Sequence, residues 1–202
     1  MGVILSSCYA GNIDYFSCIY NSKELLIDVY ENYTKQSYRN RCEIYGANGK
    51  LSLIIPIVRK NSRTPLKDVK IDYSQSWQKI HWKSLESSYR SSPYFEFYED
   101  KFIKFYEQKN IQFLLDFNIE LHNVFIQLLE IDVKIKFTDS YKEEYKDKID
   151  MRGCFHPKKD TSEYYNEIKY NQVFEEKFGF IPNLSIYDLV FNEGPASIRI
   201  LN

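Results

Sequence analysis

Three cations and two tyrosines crowd into Tyr33-Thr34-Lys35-Gln36-Ser37-Tyr38-Arg39-Asn40-Arg41, a stretch set between two strand-like apolar runs. Loops held between such elements are where chains place ligand-contacting groups. Arg39 and Arg41 each present a planar fork suited to phosphate or carboxylate, Lys35 adds a mobile point charge, and Tyr33 and Tyr38 offer flat faces carrying a hydroxyl. With Asn40 between the arginines, the set suits a sugar nucleotide. A solvated loop with ordinary surface salt bridges has the same composition. Asp28, at the end of the preceding strand, is placed to hold a sugar hydroxyl or a metal-bound diphosphate, or is simply a charge at a strand edge.

His81 is the candidate general base. It sits at the centre of an otherwise apolar helical face, where burial and a partner can tune its pKa. A core histidine with satisfied hydrogen bonds fits the same position. His122 is also inward but flanked by Asn118 and Glu120, and His156, before Pro157, reads as a loop residue. Three histidines and four cysteines show no metal-ligand spacing, so neither a metal nor a cofactor is expected. There is no Walker loop, no GxGxxG after a strand and no GxSxG elbow.

These residues need elements to hold them. Val3 to Ser7 reads as a buried opening strand, Ile13 to Tyr20 as a short amphipathic helix and Glu24 to Tyr30 as a second strand. After the basic loop, Cys42, Ile44 and Tyr45 begin a strand that Asn48-Gly49 turns into Leu51 to Ile55, because Asn-Gly tolerates the positive φ of a type I′ turn. Asn61 to Asp68 reads as a polar loop and Val69 to Ile71 as a short strand. From Trp77 the period becomes helical, with Trp77, His81, Leu85, Ser88 and Tyr89 inward and Lys79, Lys83, Glu86 and Arg90 opposite. Ser92-Pro93 supplies an N-cap and first helical residue for an aromatic helix through Tyr106, and Ile111 to Leu129 a third helix. Val133 to Phe137 alternates like a strand. Thr138 to Tyr170, with eight charged residues between Lys142 and Arg152, reads as a long surface excursion with at most one short helix. Val173 to Phe178 is a helix stopped by Gly179, and Ser185 caps a last helix ending at Gly194-Pro195. The expected architecture is a single α/β domain over residues 1–202: a mixed sheet of about five or six strands, with helices packed over it and short C-terminal helices. A cleft should separate the His81 helix from the loops after the first strand and around Arg39.

Composition sets limits on function. With 27 basic and 28 acidic residues the net charge is −1, so no global field favours nucleic acid, and any anion site must be local. Cys8, Cys18, Cys42 and Cys154 lie far apart and read as reduced thiols, which points to the cytoplasm. Met1 to Leu5 lacks the basic and apolar regions of a signal peptide, and no apolar run is long enough for a membrane span. The 18 tyrosines and 14 phenylalanines fit carbohydrate-stacking surfaces, but a coding bias that also enriches Lys, Asn and Ile accounts for them at least as well.

The chain resembles the WbqC-like proteins of bacterial O-antigen and surface-polysaccharide loci. The likeness rests on Tyr38-Arg39-Asn40-Arg41-Cys42, Ala47-Asn48-Gly49, Ile55-Pro56, Trp77, His81-Trp82, Tyr89 and Ser92-Pro93-Tyr94-Phe95. It continues at Gln172-Val173-Phe174, Pro182-Asn183-Leu184-Ser185-Ile186 and Phe191-Asn192-Glu193-Gly194-Pro195, leaving out 138–170. Family members resemble one another in a Gln-Pro-Tyr-type turn after the first strand; here Ser7-Cys8-Tyr9-Ala10-Gly11 stands in its place, and Tyr9 alone carries over to the substrate-binding set. The resemblance implies polysaccharide biosynthesis, with transfer of glycine or another acyl group to a nucleotide-linked amino sugar. In that reading Lys35, Arg39 and Arg41 hold the diphosphate, Tyr33 and Tyr38 flank the sugar or base, and His81 deprotonates the acceptor. The alternative is a non-catalytic scaffold that partners polysaccharide-biosynthesis enzymes such as glycosyltransferases, which calls for an exposed apolar patch around residues 94–106.

Overall fold

A computed structural model describes residues 2–58, 63–159 and 161–202; Met1 and the start of the polar loop at Asn61 lie outside the described residues. Short apolar segments build a parallel sheet from β1 (Gly2–Leu5), β2 (Glu24–Ile27), β5 (Lys134–Phe137) and β6 (Lys148–Asp150), in the order β5-β2-β1-β6. Val3 stands level with Leu25 on one side and Ile149 on the other. The central strands β1 and β2 are buried along most of their length, as parallel strands covered on both faces are. α1 (Ile13–Tyr20) links them, and the side chain of its N-cap Asn12 accepts from the Tyr15 amide at 3.1 Å.

β3 (Arg41–Gly46) and β4 (Gly49–Ile54) form a separate antiparallel hairpin, with Gly49 at φ +96° in its turn. Six strands are thus present among the described residues, but they divide four and two instead of sharing one mixed sheet. The hairpin packs instead against α2 (Trp77–Tyr89) and α6 (Ile186–Glu193), through β3. Val69 to Ile71 makes isolated bridges from Lys70 to Phe113 and from Ile71 to Ile57, not a strand.

α2, α3 (Phe95–Glu107) and α4 (Leu114–Leu128) pack in succession. Their core is aromatic: Phe102, Phe125, Tyr187 and Phe191 are fully buried, with ring centroids 4.9–5.5 Å apart in mostly tilted or edge-on pairs. Ser92 does not cap α3. Its hydroxyl donates to the Tyr89 carbonyl at 2.6 Å, closing α2, and α3 begins two residues beyond Pro93. The 138–170 segment is not merely a surface excursion, since it supplies β6 to the sheet. α5 (Glu175–Phe178) stops at Gly179, φ +75°; α6 runs into a 3₁₀ turn at Gly194–Ser197 and then α7 (Ile198–Leu201), which packs on α1. Among the described residues no helix is long and apolar enough to cross a membrane.

Candidate functional site

Taken in chain order, the four sheet strands lie third, second, first, fourth, so the direction of winding reverses between β1 and β6. In open parallel sheets the crevice at such a reversal, outside the carboxyl ends of the strands, is where ligands bind. Here the β1–α1 turn and the loop after β6 form its two sides.

Its floor is a pair of linked ion pairs. Arg39 is buried; its Nε and Nη2 donate to the two Glu31 carboxylate oxygens at 2.8 and 2.5 Å, and Nη2 also reaches the Ser6 hydroxyl at 2.7 Å. The single proton of that hydroxyl has the Arg152 carbonyl at 2.5 Å and Glu31 at 2.9 Å as acceptors. Arg152 in turn donates to Asp28 at 2.7 Å and to Asp150, and its guanidinium lies over Tyr141 and Tyr145. Asp28, wholly buried, also accepts from the Tyr30 and Glu31 amides and the Thr138 hydroxyl. The carboxyl ends of β1, β2, β5 and β6 are tied together by these side chains. Arg39 and Asp28 are therefore engaged by internal partners, and Arg39 also lines an open hollow of about 270 Å³ with Glu31, Asn32, Tyr141, Arg152 and Gly153.

Beside this floor is a polar cleft of about 120 Å³, lined by Asn12 and Asp14 from the start of α1, by Tyr38 and Glu43, and by Cys154, His156 and Lys159 from the post-β6 loop. The Asp14 carboxylate latches that loop by accepting from both the amide and hydroxyl of Ser162, while its own amide donates to Asn183 Oδ1 at 3.0 Å. Burial raises the Asp14 pKa, with Ser162 pulling it back. Burial likewise raises the Cys154 thiol against the pull of Lys159, so the thiol is protonated at neutral pH. His156 is lowered by burial and by the surrounding cations Lys159, Arg39, Lys158 and Arg41, so it is neutral. Its Nδ1 accepts from the Lys158 amide at 3.2 Å, which leaves the proton on Nε2.

The predicted site residues separate into two groups. Lys35 is exposed, Tyr33 and Arg41 are half-buried outside the cleft lining, with Arg41 acting electrostatically on both Tyr33 and His156, and Tyr38 lines the cleft. Asn40 is buried, donating to the Ile55 carbonyl at 2.8 Å, and Tyr9 and His81 lie deeper still. No cleft separates the His81 helix from the β1–α1 turn, contrary to expectation: His81 Nδ1 is 3.0 Å from the Tyr9 hydroxyl and Nε2 is 3.2 Å from the Ile54 carbonyl. A carbonyl only accepts, so Nε2 carries the proton, Tyr9 donates to Nδ1, Tyr106 to Tyr9 and Tyr187 to Tyr106. Desolvation lowers the His81 pKa to about 4. At 3% exposure it is sealed from solvent and holds Tyr9 in place.

Asp14 and Lys159 escaped the sequence reading, which took Cys154 as a reduced thiol and His156 as a loop residue. A signal was available: Ile149 and Met151 alternate with Lys148, Asp150 and Arg152, the period of a strand inside a charge run.

A family model described as the WbqC-like protein family matches residues 7–168. The chain belongs to the WbqC-like protein family. The match runs through the 138–168 stretch that the sequence likeness left out and ends before the C-terminal motifs from Gln172 onward. In this WbqC-like chain the crevice residues from Asn12 to Lys159 fall inside the family region, whereas Ser6 of the floor and Asn183 of the cleft lining lie outside it. No curated protein and no solved structure matches the chain.

Proposed function

We propose that this WbqC-like protein serves the biosynthesis of a bacterial surface polysaccharide of the O-antigen kind, transferring an acyl or aminoacyl group, such as glycyl, to a nucleotide-linked amino sugar. The observation that carries the reading is the polar crevice at the winding reversal of a parallel sheet, within electrostatic reach of Arg41, which pairs with no carboxylate among the described residues. At about 120 Å³ the cleft is smaller than the roughly 300–1,000 Å³ of pockets that enclose whole ligands. It takes one polar group, and the rest of the substrate lies along the open surface formed by Tyr33, Lys35 and Arg41. The transfer relies on orientation, the amine being held against the acyl carbonyl. His81, Tyr9, Arg39, Asn40 and Asp28 serve the reaction through position, by fixing the β1–α1 turn and the basic loop.

The scaffold alternative finds little support. Phe95, Phe102, Phe105 and Tyr106 of α3 are buried in the core, and Phe97, 75% exposed, is a single side chain of the kind that needs no partner.

A thermal-shift series with UDP-, dTDP- and GDP-linked amino sugars, with and without acyl donors, tests the proposal, because a ligand of the native state raises its melting temperature. A rise confined to one nucleotide and lost in Arg41→Ala is the expected result. No rise with any of them overturns it.

A further inference from the structure

We propose that the crevice contains a diphosphate subsite made by Arg41, the Nε2–H of His156 and the Lys159 ammonium. This deepens the preceding reading and rests on it for the nucleotide-linked substrate, though the subsite itself is argued from local geometry.

Arg41 opens β3 and points to the same face as Glu43 two residues on, since alternate strand residues share a side. Glu43 lines the cleft, and Arg41, though not part of its lining, acts electrostatically on His156 across it. Among the described residues Arg41 pairs with no carboxylate, and its Nε is closed off from solvent without an acceptor. A buried donor left unmade is costly, and an incoming oxyanion removes that cost. Across the cleft, the Lys158 amide fixes the His156 tautomer so that Nε2 is a donor, and Lys159, anchored on the Gly153 carbonyl at 2.7 Å, keeps its remaining protons free. The two carboxylates that share the lining are already engaged. Asp14 is held by Ser162, and Glu43 by Lys50 at 3.1 Å. His156 is lowered first by burial and then by four cations, and that second contribution reflects the same local positive field in a chain whose net charge is −1. Three donors of different type around one small cleft match the several oxygens of a diphosphate, which accepts from all of them.

The probe is inorganic pyrophosphate, titrated calorimetrically into the full chain at low salt. Saturable one-site binding is expected, weakened about tenfold or more in Arg41→Ala and in His156→Ala, as for a lost hydrogen bond to a charged group. His156→Gln, which keeps a donor near Nε2, should restore most of the affinity. Lys79→Ala, on the outward face of α2, should leave it unchanged, and each variant's far-ultraviolet spectrum confirms folding. Absence of saturable binding, or an equal loss in Lys79→Ala, overturns the subsite. UDP binding more tightly than pyrophosphate supports a nucleotide source for the group; geranyl diphosphate binding more tightly supports a lipid-linked one. The two proposals fail separately. A nucleotide-sugar thermal shift that survives His156→Ala sinks the subsite alone, whereas pyrophosphate binding without any nucleotide-sugar shift sinks the substrate assignment alone.

Discussion

Arg39 and Arg41 are two residues apart and do opposite work. Both guanidiniums have the same chemistry, but Arg39 enters the interior and finds Glu31 and Ser6, while Arg41 begins β3 at the surface and finds no carboxylate among the described residues. Removing one member of a buried pair strands the other charge. Arg39→Ala should therefore lower folding stability by about 3–5 kcal/mol. Arg41→Ala deletes a solvent-shielded donor that lacks a partner among the described residues, so it should lower stability by no more than about 0.5 kcal/mol and can raise it. Urea denaturation of the two variants decides the matter, and comparable losses would remove the distinction between support and ligand contact. At this scale the residue types of the basic loop were legible in the sequence, since planar forks and tyrosines declare their chemistry. Which arginine is spent internally was not, because Glu31, its partner, looks like any other acid at a strand end until the chain brings it under Arg39.

β6 is the element on which the site depends and the one that sequence pattern concealed. Its three residues contain one apolar side chain, Ile149, embedded in charges, so neither burial nor length announced a strand. The long α and β segments were legible for the opposite reason: Ile13–Tyr20 and Trp77–Tyr89 carry a full helical period, and Asn48-Gly49 dictates its turn. Arg152, just after β6, compensates for the strand's weak apolar content. It joins β6 to the end of β2 through Asp28 and gathers the preceding loop through the carbonyls of Lys142 and Glu143 at 2.8 and 2.9 Å. Arg152→Ala should release residues 139–147 while α2, α3 and α4 remain closed. Amide hydrogen exchange should show faster exchange in that segment and at β6, with the helical core unchanged. Uniformly faster exchange would show that the clamp is part of the global fold and not a local fastening.

For the molecule as a whole, the strongly shifted groups His81, His122 and Asp188 set opposing slopes of stability against pH. Desolvation lowers His81 and His122 to about 4, so each binds its proton more readily in the unfolded chain, and stability falls as pH drops from about 6.5 to 4. Asp188 works the other way. It is wholly buried, and desolvation raises its carboxyl to about 6 even though Tyr170, Gln172 and Tyr89 donate to it at 2.6, 2.9 and 2.8 Å. Because the folded chain holds that proton more tightly than the unfolded one, Asp188 makes stability fall as pH rises from about 3.8 to 6, partly cancelling the histidines over the same interval. Asp188→Asn removes the cancelling group and leaves the histidines untouched. The variant's stability should then climb more steeply between pH 4 and 6 than the parent's, by about 1.4 kcal/mol per pH unit, one proton's worth. The comparison of slopes is unaffected by whatever fixed cost the amide brings. Above about pH 7 Asp188 has lost its proton in both states, and the two curves should run parallel. Urea midpoints at half-unit steps from pH 4 to 8 measure this directly; curves parallel throughout would mean that Asp188 titrates alike in the folded and unfolded chain, and that the tie between α6 and the Tyr170–Gln172 segment is made to an ionised carboxylate across that range.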